Sequence, residues 1–209
     1  MKKILTVLFI MLLFLQAKAI IYVNDITPAF PEEYREEIES RIIDGASYFL
    51  KSQSYALLFL NEYEKSAAQP FDFSAASGYL EKTISELENS KTKYLQALEI
   101  GKNAGYKEEN TAKLRNFNFD RLITENKLNS SVAQQVKYYL ENADITGLYQ
   151  QNINNIQAIL NTLYSIRTRL GENAKPGVST AWELFQQYSQ AALFGNYSTM
   201  MGTTGLAAK

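Results

Sequence analysis

The chain contains no cysteine and no histidine among its 209 residues. Without thiols there can be no disulfide, thiolate nucleophile or iron–sulfur cluster. Without imidazole there can be no His-based triad, axial-His haem or Cys/His zinc site. A di-iron carboxylate bundle, which needs inward Glu-x-x-His pairs, falls with them. Proline is scarce at four residues, and there is one tryptophan. The formal net charge of −1 gives no basic footprint for nucleic acid. No P-loop, dinucleotide glycine fingerprint or calcium loop occurs. Carboxylates, with perturbed Lys and Tyr, are the only acid/base side chains left near neutral pH, and no residue is singled out for a metal, a cofactor or catalysis.

Long apolar runs are missing too, except at the start. Lys2 and Lys3 precede the run from Ile4 to Leu15, and Ala17-Lys18-Ala19 is an A-x-A cleavage site. The run is short for a bilayer span, so residues 1–19 read as a signal peptide cut after Ala19, with an uncleaved anchor as the alternative. Removing Lys2, Lys3 and Lys18 takes the net charge from −1 to −4. The expected product is secreted or periplasmic, meets the membrane only transiently through its signal, and folds without disulfides.

What is present is helical periodicity. From Asp144 to Leu170, Tyr149, Ile156, Leu163 and Leu170 recur every seven residues, with Ile145, Ile159 and Ile166 between them and Ile153 and Leu160 beside them. This is the apolar face of a helix about 40 Å long. Asp144 caps it, and Gly171 with Lys175-Pro176-Gly177 ends it. Residues 20–31 form an arm in which Thr27-Pro28 and Phe30-Pro31 resist helix, suited to lie as an extended strap.

A first long helix is expected from about Glu32 to Lys65, with a seam of Ile38, Ile42, Gly45, Phe49, Ser52, Ala56, Phe59 and Tyr63. Its small middle invites close approach of a neighbour, with a binding groove as the alternative use. Asp72 or Ser74 caps a second helix running to about Lys102. Its seam is Ala76, Leu80, Thr83, Leu87, Ser90, Tyr94 and Ala97, flanked by Ile84 and Leu98. A loop follows from Gly101 to Asn110. Two short helices are expected over Thr111–Asn126 and from Ser131 through Leu140. Thr180-x-x-Glu183 opens a last helix.

The reading is all-α: one domain over residues 32–209, an antiparallel bundle of four long helices with coiled-coil-like seams and a broken helix pair between the second and the fourth. The last few residues are expected to fray. No carboxylate pair points inward, so the function expected is non-catalytic. The protein would bind or scaffold another macromolecule, through an unidentified protein partner or self-association. The last helix is aromatic around much of its circumference, which makes Trp182, Phe185, Tyr188, Phe194 and Tyr197 the candidate partner surface. The alternative is a small-molecule sensor or carrier with a core pocket at Tyr149 and Asn152. Asn152, on the buried seam, also suits a role in fixing helix register.

Overall fold

A computed structural model describes residues 31–66, 73–105 and 144–171, together with residues 134, 135, 137, 138, 142, 186–188 and 191. These residues are almost entirely helical and contain no strand. Three long helices carry the fold: α1 (Glu32–Ser66), α2 (Ser74–Ala104) and α3 (Ile145–Gly171). Of the expected last helix, only residues 186–188 and 191 are described, each helical, and helical positions among 134–138 fall in the second expected short helix. The signal segment, the arm at 20–30, the first short helix and the side chain of Ile145 lie outside the described residues.

The α1 and α2 helices form an antiparallel hairpin. Near the turn the rings of Tyr63 and Phe73 stack at 5.5 Å. Further along, Lys82 reaches the Tyr55 ring, and at the far end Lys93 Nζ lies 2.9 Å from Asp44 Oδ2. As one helix number rises, its partner's falls. The α2 and α3 helices are antiparallel by the same criterion: Lys91 donates to Gln157, Tyr164 to Glu88, and Arg167 to Glu81. The α2 helix thus packs against both others.

Every named seam residue of α1 and α2 is buried except Tyr63, which is half-buried against the core. The α3 stripe is buried as expected, with Tyr149, Ile159 and Leu163 fully enclosed. Each large apolar side chain so removed from water contributes about 1.5–3 kcal/mol.

The small middle of α1 is filled by α2 rather than left as a groove. The ring of Tyr94 lies against Gly45, and Ser90 Oγ donates to the Gly45 carbonyl at 2.8 Å. A hydroxyl that reaches the backbone of another helix requires close approach, which glycine permits.

Two boundaries differ from the sequence reading. The N-cap of α2 is Phe73, which has no side-chain acceptor, and no side-chain cap bond forms there. Its stacking on Tyr63 fixes the entry of the chain instead. The helix also continues through Gly101 to Ala104. Gly101 is buried on the seam, where the missing side chain suits packing, and Gly105 (φ 69°, ψ −179°) ends the helix in a conformation open to glycine alone. The cap of α3 is as expected, with Gly147 N–H donating to Asp144 Oδ1 at 2.7 Å.

Candidate functional site

Among the expected partner-surface residues, only Tyr188 is described, and it faces inward. It is 6% exposed, its ring lies 5.5 Å from that of Phe49, and its hydroxyl donates to Ser52 Oγ at 3.2 Å. Ser52 Oγ in turn donates to the Phe49 carbonyl at 2.6 Å, so the polar end of the tyrosine is satisfied inside the core. Burial holds the Tyr188 phenol above its ordinary pKa range. Tyr188 is thus an anchor that fastens the C-terminal segment to α1. Trp182, Phe185, Phe194 and Tyr197 lie outside the described residues.

The two candidate pocket residues, Tyr149 and Asn152, stand one turn apart and are both buried. They sit on the core face of α3, in line with Ile156 and Ile159.

The carboxylates do not gather. Among the described residues, no group of three or more acidic side chains could hold a metal ion. Glu81, Glu88 and Glu99 are exposed, and Glu88 accepts the Tyr164 hydroxyl at 2.6 Å. That bond, then burial, pushes the Tyr164 pKa up to about 12. Glu86 differs from these exposed carboxylates. It is half-buried, and its Oε2 has no hydrogen-bond partner among the described residues. Arg167 is exposed but engaged: it lies over the Tyr164 ring at 5.0 Å and 3.5 Å from Glu81.

The surface that stands out was missed by sequence reasoning and lies on α1. Ile43 is 46% exposed, Leu50 59% and Leu58 40%. Ile43, Leu50 and the half-buried Leu57 share seven-residue spacing, so they form a second apolar column beside the buried seam. The column on its solvent side, Ser40, Ser47, Ser54 and Asn61, is exposed and carries no charge. Gln53, between stripe and seam, is buried, and its Oε1 has no partner among the described residues. The heptad step from Ile43 to Leu50 was the available signal.

The other edge of α1 is different in kind. Lys51 sits over Tyr48 at 5.0 Å, and Lys82 over Tyr55 and Tyr79 at 5.6 and 5.4 Å. Each such cation–π contact is worth about 0.5–1 kcal/mol at an exposed site, and the Lys82–Tyr55 contact joins α2 to α1. No helix among the described residues is long and apolar enough to cross a membrane. No family model, curated protein or solved structure matches this chain.

Proposed function

We propose that this protein is an exported, non-catalytic helical module that holds another protein in the cell envelope through the outer face of α1. The observation that carries this reading is the column of Ile43 and Leu50, continued by the half-buried Leu57, with Leu58 exposed beyond Ser54. Ile43 and Leu50 stay substantially exposed on a helix whose opposite face is locked into the core. An apolar column bordered on its solvent side by Ser40, Ser47 and Ser54 fits the charge-depleted centre of protein interfaces, and a helix held by its other face presents that column at little ordering cost. Buried polar groups support the same reading. Ser52, Thr83 and Ser90 each donate to a backbone carbonyl, so their hydroxyls are satisfied inside the core.

The test is site-specific photo-crosslinking in the native host. A crosslinker at position 50 should give a discrete protein adduct, and one at exposed Lys102 should not. The Ile43→Asp change, one heptad from position 50 at an exposed site, should abolish the adduct while leaving thermal unfolding unchanged. A chain that yields no adduct at position 50, or the same adducts at both positions, would end the proposal. Export is read separately, by N-terminal sequencing of the envelope fraction, where the expected first residue is Ile20.

A further inference from the structure

We infer that α3 pairs with the α3 of a second copy of this chain, antiparallel and about a twofold axis. The starting observation is a helix face without charge. Residues 145–166 carry no charged side chain, in a chain that is 21% charged. Along one row of that stretch Gln150, Asn154, Ala158, Asn161 and Ser165 are exposed, with half-buried Gly147 at its head. The other two helices do place charge in water, with Glu37 and Lys51 exposed on α1 and Glu81, Lys82 and Lys102 on α2. Across a twofold axis a patch meets an identical patch, so a charge at its centre confronts its own sign. Carboxamides escape that conflict, because one group carries both donors and an acceptor.

The row is its own complement when reversed. Gln150 Nε2 donates to Asn154 Oδ1 at 3.1 Å, and Gln157 Nε2 donates to Asn161 Oδ1 at 2.8 Å. Gln157 is itself held by Lys91 at 2.6 Å. These bonds fix the side chains and leave the Gln150 carbonyl as an acceptor and the Asn161 N–H groups as donors. With Gln150 set opposite Asn161 of the second copy, acceptor meets donor twice by symmetry. The same register sets Asn154 opposite Ala158 and Gly147 opposite Ser165, and small residues at such a contact shorten the distance between helices.

An apolar anchor stands beside the row. Lys91 reaches Gln157 and α2 runs antiparallel to α3, so Leu95, one turn further on, is level with Asn154. Leu95 is 42% exposed. With this adjoining row of α2, the face measures about 33 Å by about 20 Å. That approaches the roughly 800 Å² per partner of a stable interface. Exposed Glu88 and Glu99 lie on α2 at its margin, and Arg167 and Arg169 lie past its end, as a polar rim. An unrelated protein could meet this face with any complementary pattern, whereas self-complementarity singles out a second copy. The pairing uses a different helix from the Ile43 and Leu50 column and does not rest on the binding role proposed above.

The test is a charge swap in the chain purified from its host, read by sedimentation equilibrium, with circular dichroism confirming the fold. The wild-type chain should be a dimer. The Q150K/N161K and Q150E/N161E variants each set like charges against one another and should weaken it at least about tenfold. Mixed in equal amounts, the two variants should recover a dimer, seen by native mass spectrometry at the summed mass. A wild-type chain that is monomeric at about 1 mM, a dimer that both variants retain, or a mixture that stays monomeric overturns the inference. A second reading leaves the row intact and uses the absence of native cysteine. Spin labels on R169C should lie about 40 Å apart in the antiparallel pair. A separation below about 20 Å, as parallel helices would give, or no measurable separation, also overturns it.

Discussion

A Cβ placed on Gly45 would stand 3.0 Å from Cε2 and 3.1 Å from Cδ2 of Tyr94, a buried ring of the facing helix. This contact sets how closely α1 and α2 approach, and it puts the Gly45 carbonyl within reach of Ser90.

The Gly45→Ala substitution should therefore destabilise the protein although it favours helix. Alanine gains about 1 kcal/mol in propensity, and overpacking a core contact costs about 1–3 kcal/mol. A net loss of about 1 kcal/mol is expected in urea denaturation. In a Tyr94→Leu background the same change should become neutral or stabilising, because the ring that it strikes is gone. A stabilised single variant would contradict the close approach.

Tyr188 should prove structural. Tyr188→Phe removes one buried hydrogen bond to Ser52 and should cost about 1 kcal/mol. Tyr188→Ala empties a site against Phe49 and should cost about 3–5 kcal/mol. Thermal unfolding of both variants gives the comparison. If Ala and Phe were equally mild, the C-terminal segment would not be fastened at this point.

Alkaline pH should unfold the protein through its tyrosines. Burial raises Tyr188 and Tyr63, and the bond to Glu88 raises Tyr164 to about 12. An unfolded tyrosine loses its proton near pH 10. Above that pH the unfolded chain binds fewer protons than the folded one, so stability falls as pH rises. It is complete below about pH 10 and is lost progressively above it. Phenolate absorbance should show the late-titrating tyrosines appearing together with unfolding, and Tyr188→Phe should lessen the slope. A stability profile that rises above pH 10 would have the opposite sign.

Asp144 should act as the cap of α3. Asp144→Ala removes the acceptor for Gly147 N–H and should cost about 1 kcal/mol, with Asp144→Asn or Asp144→Ser restoring most of it. Chemical denaturation of the three variants separates capping from mere loss of charge.

The three helical seams were legible because their cause is local. A side chain's direction follows from 3.6 residues per turn, so Ile38 to Phe59, Ala76 to Leu98 and Tyr149 to Leu170 could be assigned to buried faces from spacing alone. The absences were equally decisive, since missing thiols and imidazoles remove whole classes of chemistry whatever the fold. Gly45 was legible in part, as a small residue in a seam of large ones.

Tertiary structure decided what spacing leaves open. The apolar arc of α1 is wider than one neighbour can cover. Only the placement of α2 and Tyr188 shows that Phe49 and Ser52 are enclosed while Ile43 and Leu50 are not. Tyr188 looked available on a helix aromatic on many sides, yet the Ser52 hydroxyl and Phe49 ring, far away in sequence, draw it inward. Phe73 begins α2 without a side-chain acceptor because Tyr63 lies across the turn. Period and composition are properties of a chain by itself. Which of two apolar columns meets a neighbour and which meets water depends on where other helices stand, and that follows from packing between residues distant in the sequence.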